Sequence, residues 1–430
     1  DFGQKEFDAC SLAGTIYILI GTSIYLSLNS AADTFLPQTF GKRFIEWQKN
    51  SVIQRTLLIL IYAVFITWIL MLNVGRGFLK FVEKDHQIVL LADKYLKTYI
   101  LLYQLNLGIH TPGISIAISF LTMSILAIVY IRFYSNIYEL TWCPITRECL
   151  TEWRSYIRLN IAGLFMITLV SWSLECSILL AATISERSLT AQTIAYQTET
   201  LFYYISYAFG LSANIRIGQY MGANEPSKAK QVTNLLYIVM ILPLLVNMIL
   251  ILSLCNWIPL FFISKTEKDS AATISFTKKL LIVVAFSQII DGYQGLQLDG
   301  MIKACGQQPK GAIIATIGFV LICMPVAVVL IYGAKIDIYG YWIGLFCAEC
   351  FTNLSLFIII QRFDWQSYAT QITTAAVPST ALISYGTNTR VEISVDKSLF
   401  ELIKWKLLCL SFFIVLFIIS IVFSAFSSIY

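Results

Sequence analysis

Four acids in this sequence stand where acids are costly. Glu175, in LVSWSLECSILL, has apolar neighbours on both sides, broken by Ser171, Ser173, Cys176 and Ser177. Asp291 lies in VVAFSQIIDGYQGL, Glu199 in AYQTETLFYYISYAF, and Asp33 closes an apolar run in SLNSAADTFLPQTFGKR. An ionisable side chain inside an apolar span marks function by default, because burying its charge is expensive. The chemistry such groups support is exchange. A buried carboxyl holds a proton in one state and gives it up when a cation competes for the site. Glu199 is two residues from Gln197, about 200° around a helix, so the two face opposite ways. Trp172, Tyr196, Tyr203, Tyr204, Tyr207 and Tyr293 accompany the acids and can offer a cation–π surface, each good contact contributing about 0.5–2 kcal/mol. Asp299 and Lys303 are spaced as a solvated i,i+4 pair.

These side chains need membrane-spanning helices to hold them. The chain of 430 residues is 57% hydrophobic and 13% charged, about half the charge of a soluble protein. Apolar stretches recur at residues 11–32, 53–73, 113–133, 160–183, 192–215, 232–263, 280–299, 311–333, 338–361 and 403–428. Each approaches or exceeds the roughly 20 residues that cross a hydrocarbon core. The fold class is therefore an all-α polytopic membrane protein, and strand-length alternation of the β-barrel kind is absent. Lys42, Arg43, Arg147, Arg154, Arg216, Lys228, Lys230 and Lys310 fall in alternate loops, which the positive-inside rule places in the cytoplasm. No Gly-rich phosphate loop, Ser/His/Asp set or metal constellation occurs, and no polar stretch is long enough for a nucleotide-binding domain. The expectation is a protein that is not an enzyme, binds no nucleic acid or cofactor, and works as a monomer in the bilayer.

The stretch at 27–43 returns as FGLSANIRIGQYMGANE at 209–225. Ala32, Asp33, Gln38 and Gly41 pair with Ala213, Asn214, Gln219 and Gly222 at one constant offset of 181. A weaker match, LGIHTPG against IDIYGYW, has an offset of 229, so the first copy is 48 residues shorter (229 − 181) between its anchors. Tandem repeats of this kind belong to transporters, with the substrate site between or within the halves. Asp33 reads either as a helix-end residue near Lys42 and Arg43 or as a gating or cation residue specific to the first copy.

The stretch TWCPITRECLTEWRSYIRLNIAG at 141–163 resembles the inter-lobe linker of eukaryotic multidrug and toxin extrusion (MATE) transporters, through Trp142, Glu148, Cys149, Leu150, Trp153, Arg158 and Leu159. Ala31, Asp33, Thr34, Gln38 and Gly41 resemble a second element of that family, and Arg216 to Ala229 its second-lobe counterpart. The resemblance implies two homologous helical lobes: 1–140, lacking its first helix and a hairpin near 104, and a six-helix lobe at 160–362. A cytoplasmic linker at 141–159 joins them, a flexible cytoplasmic linker follows at 363–402, and an extra transmembrane helix closes the chain at 403–430. It also implies proton-driven export of organic cations across the cell membrane. The family pattern Glu-Trp-Trp-x-x-Glu meets Val170, Trp172 and Glu175 here, so the first glutamate is missing. Gln197 stands where the family often has Glu, and Asp291 resembles its cavity acid. The implied proton- and cation-binding set is Glu175, Asp291, Glu199, Gln197 and Asp33, with Trp172, Tyr196, Tyr203 and Tyr293 as aromatic surface. Two alternatives stand beside it: a non-transporting fragment or splice form, and a lipid or oligosaccharide flippase of the same superfamily.

Overall fold

The computed structural model describes residues 29–41, 153–263 and 270–374, together with Leu19, Val52, residues 54–56 and residues 58 and 59. The remainder of the first lobe, the hairpin gap near 104, most of the 141–159 linker, the chain from 375 to 402 and the helix expected at 403–430 lie outside the described residues. Among the described residues every element is helical. From the first copy comes α1 (Ser30–Gly41). The second copy begins with α2 (Trp153–Ile184) and α3 (Glu186–Gly222), followed by α4 (Pro226–Val239) and α5 (Ile241–Leu254), which form one span, and the short α6 (Ile258–Phe262). Next, α7 (Ser270–Gly295) continues through a π-helical segment to Ile302. α8 (Gln308–Ala315) and α9 (Met324–Val328) form another span, interrupted by π-helical turns at Thr316–Cys323 and Val329–Gly333. α10 (Tyr339–Gln361) and α11 (Trp365–Thr374) complete the set.

Local chemistry sets the ends of these helices. Ser185 caps α3, its Oγ accepting the Ser188 N–H at 3.1 Å, which satisfies a donor the helix itself leaves open. α3 ends at Gly222, and the chain then turns at Asn224, in left-handed backbone with φ 58°, a conformation asparagine tolerates. Pro226 then starts α4, where its missing N–H costs nothing. Helix α2 takes in Trp153 to Leu159, so the last part of the expected linker is already helix.

Five runs are long and apolar enough to cross a membrane: Tyr156–Ile184, Pro226–Leu254, Ser270–Ile302, Gln308–Gly333 and Tyr339–Gln361. α3 is long enough too, but its many polar residues face inward, among them Gln192, Thr193, Thr198, Glu199 and Asn214. Leu235, Ile238, Leu242 and Ile249 turn outward from α4 and α5, each more than half exposed; a patch of this kind has the bilayer as its solvent. Since lipid gives no hydrophobic drive between helices, close approach through small residues does the packing. A Cβ on Gly300 would come within 2.8 Å of the Gly210 carbonyl oxygen, so α7 and α3 touch at backbone distance.

The sequence reads 363–402 as flexible, yet its first part is α11, with Trp365 and Ala369 buried against Met301, Cys305 and Ile360. Composition misses this because two buried residues one turn apart suffice to dock a short helix. The docking site is the turn after Ile302, where Gly306 has φ 63° and its hydrogen-for-methyl gap is filled by the Tyr368 hydroxyl. Burial pushes that phenol up to about 12.

Candidate functional site

Three carboxyls from three helices converge inside the second copy. α3 presents Glu199 inward while Gln197 stays exposed, as the 200° separation requires. α7 supplies Asp291 and α10 supplies Glu349, all less than a tenth exposed. Glu199, Asp291 and Glu349 lie within electrostatic reach of one another. No backbone, amide or hydroxyl donor among the described residues reaches Asp291 Oδ2 or Glu349 Oε2. Among the described residues, no Lys or Arg forms an ion pair with any of the three.

Amide side chains hold the helices in register around these acids. Gln288 Nε2 donates to the Glu199 carbonyl at 3.2 Å, tying α7 to α3. Asn353 Nδ2 donates to the carbonyls of Ile290 (3.0 Å) and Glu349 (2.9 Å), and Thr352 Oγ1 donates to Gln294 Oε1 (2.9 Å), tying α10 to α7. Glu349, in the string CAEC, was missed by sequence reasoning. A single acid among cysteines and aromatics gives little pattern, although its place inside an apolar span was signal enough.

Glu175 forms a second buried site toward the other end of α2. The Tyr196 hydroxyl donates to Glu175 Oε1 at 2.6 Å. Beside them, Gln192 Nε2 donates to Ser177 Oγ (2.8 Å) and accepts on Oε1 from Trp342 Nε1 (2.9 Å). Tyr196 precedes Glu199 by one turn of α3, so a single tyrosine stands between Glu175 and the three-acid group.

Asp33 belongs to a third group, at the cation-rich end. Lys303 Nζ lies 2.9 Å from Asp299 Oδ1 and 3.4 Å from Asp33 Oδ2, with its side chain 2% exposed. The Asp299–Lys303 pair therefore exists but is buried, not solvated, because α1 covers it; Asp33 faces Lys303 across the halves. Thr34 Oγ1 donates to the Lys303 carbonyl (2.8 Å), Gln38 Nε2 to the Ala304 carbonyl (2.9 Å) and Gln308 Nε2 to Thr34 Oγ1 (2.6 Å).

The aromatic residues do not make one surface. Tyr196 and Tyr203 flank the acids on α3, the Tyr203 hydroxyl donating to Asp299 Oδ2 at 3.1 Å. Tyr293 instead stacks on Tyr237 at 6.2 Å in an open groove of about 390 Å³ between α4, α7 and α10. Trp172 points elsewhere, its Nε1 donating to the Leu19 carbonyl at 2.8 Å.

This arrangement of helices has counterparts among known proteins. The family model named MatE matches residues 1–137 and 163–329. The chain belongs to the MatE family. Multidrug and toxin extrusion protein 2 of Mus musculus is 28% identical over 412 residues, which cover 86% of this chain and 70% of that protein. Protein 1 of Xenopus tropicalis is 29% identical over 423 residues, covering 87% and 71%, and protein 1 of Homo sapiens 24% over 411, covering 86% and 70%. The fold resembles the crystal structure of the eukaryotic MATE transporter AtDTX14, with a TM-score of 0.78 at 18% identity over 87% of this chain and 92% of that one. It also resembles a MOP superfamily transporter from Pyrococcus furiosus, with a TM-score of 0.65 at 14% identity over 86% and 89%. A MatE protein built this way is a multi-pass helical membrane protein.

Proposed function

We propose that this MatE protein is a secondary antiporter that exports organic cations in exchange for protons, using Glu199, Asp291 and Glu349 as its exchange site. The observation that carries this reading is three buried carboxyls on three helices, none of them ion-paired with a Lys or Arg among the described residues. Three negative charges cannot be held together in a buried site without compensation. The compensation is either protons or a bound cation, and one displaces the other. Glu175 with Tyr196 forms a neighbouring site, which stands in for the absent first glutamate of the family pattern. Alternating access then follows from the two halves moving about their shared crossing. The protein would act in the cell membrane as a monomer, with the cation-rich end in the cytoplasm and the proton gradient as its driving force. A flippase of anionic lipid would want a basic cavity; the buried Lys303 is already shared by two carboxylates.

The test is uptake of a fluorescent organic cation into proteoliposomes with an acid interior. Uptake should collapse when the pH gradient is dissipated and should fall at least tenfold in Asp291→Asn and Glu199→Gln. A sodium gradient replacing the proton gradient is the control. Uptake driven by sodium alone, or indifferent to both substitutions, would sink the proposal.

A further inference from the structure

The crossing of α1 and α3 has a symmetry that the linear repeat only hints at, since residues matched in sequence also meet in space. Asn214 Nδ2 donates to the carbonyl of its own repeat mate, Asp33, at 2.9 Å. A Cβ on Gly218 would lie 2.7 Å from the Cβ of its mate, Pro37. Gly41 abuts the Gln219 carbonyl, and its mate Gly222 abuts the Gln38 carbonyl. This reciprocal pattern is that of a two-fold contact, in which each partner offers the same patch. A local two-fold axis thus passes through this crossing, and backbone-to-backbone approach leaves no room there for a pathway.

One feature breaks the symmetry. Asp33 has Asn214 as its mate, and its carboxylate reaches Lys303 rather than anything on α3. Lys303 in turn has a nearer partner, Asp299, on its own helical run. One buried ammonium thus serves two carboxylates, one from each half of the chain. A buried charge pair is strongly coupled, and removing one partner changes the balance for the others. Tyr203 connects this group to the acids above. Its hydroxyl donates to Asp299, and its ring packs on Gly295, one turn beyond Asp291.

We propose that Lys303 is a latch between the halves, and that competition between Asp299 and Asp33 for its ammonium sets how firmly the cation-rich end is closed. Asp299 draws Lys303 into the second half, whereas Asp33 draws the same charge across the crossing. Lys303 is a positioning residue for alternating access, touching no exchange-site carboxyl, and only its purpose rests on the transport reading.

Shared use of one cation predicts opposite effects for two similar substitutions. The full chain in lipid nanodiscs is followed by hydrogen exchange and mass spectrometry. Asp33→Asn frees α1, so peptides covering Ser30–Gly41 should exchange severalfold faster. Lys303→Met should act in the same direction. Asp299→Asn leaves Lys303 wholly to Asp33, so the same peptides should exchange no faster than in the parent and more slowly if the pair tightens. Peptides from Tyr339–Gln361, away from the crossing, should be unchanged in all three. If Asp33→Asn and Asp299→Asn accelerate α1 alike, if Asp33→Asn has no effect, or if the α10 peptides loosen as well, the shared-cation latch is wrong. The readout needs no transported substrate. An inactive parent chain with the expected exchange pattern would remove the antiport reading and leave the latch standing.

Discussion

At the scale of single residues, the acids separate by what compensates them. Asp33 and Asp299 have Lys303, Glu175 has a tyrosine hydroxyl, and Asp291 and Glu349 lie together with no Lys or Arg ion-paired to either among the described residues. The last pair is where exchange belongs. A carbodiimide that attacks buried protonated carboxyls should therefore modify Asp291 or Glu349 ahead of Asp299, and a transported organic cation should protect them. Peptide mass spectrometry reads both effects; modification concentrated at Asp299, or unaffected by cation, would contradict the assignment. Tyr196→Phe removes a hydroxyl donor to Glu175 and should lower thermal stability by about 1–3 kcal/mol, the cost of a buried polar group losing a partner. A melting curve in detergent unchanged from the parent would show that another donor takes over.

The element scale turns on how closely helices approach. α3 carries Gly218 and Gly222 four residues apart, the small-residue spacing that lets helix backbones touch in membranes. Their gaps are filled by Pro37 and by the Gln38 carbonyl of α1. Gly222→Leu should push the helices apart at a cost of about 1–3 kcal/mol, as overpacking does, whereas Gly333→Leu, where the nearest atom is 4.0 Å away, should cost little. Comparing the two melting temperatures checks this; equal losses would mean that the α1–α3 crossing is looser than its geometry. Gly306 works differently, since its positive φ taxes any L-residue with a side chain, by roughly 1–2 kcal/mol.

At the scale of the whole molecule, three polar groups follow one another through the second half. Glu175 and Tyr196 come first, then Glu199 with Asp291 and Glu349, and last Asp299 with Lys303 and Asp33. Tyr196 joins the first to the second and Tyr203 the second to the third. This order makes a prediction about coupling. Substituting Tyr203 by Phe leaves every carboxyl in place but cuts the hydroxyl contact to Asp299, so cation-driven proton movement should fall while cation binding persists. Binding measured by fluorescence polarisation alongside proton efflux in proteoliposomes separates the two; parallel loss of both would place Tyr203 in the binding site itself.

Much of this was determined by the sequence alone. Apolar runs of span length dictate a polytopic helical protein, because only helices satisfy backbone polar groups within a single segment in lipid. Glu175, Glu199, Asp291 and Asp33 stood out because charge in such runs is rare, and the opposite facing of Gln197 and Glu199 followed from 100° per residue. The tertiary structure decided what lies between helices. It brought Glu349 to Asp291 and Glu199, divided Tyr293 and Trp172 from the α3 tyrosines, docked α11 where composition reads a flexible linker, and turned Asp299–Lys303 from a surface pair into a buried one. The reason in each case is rotation and crossing. Periodicity tells which residues share a face of one helix, but which neighbour that face meets depends on contacts between residues far apart in the chain, such as the 270 positions separating Asp33 from Lys303.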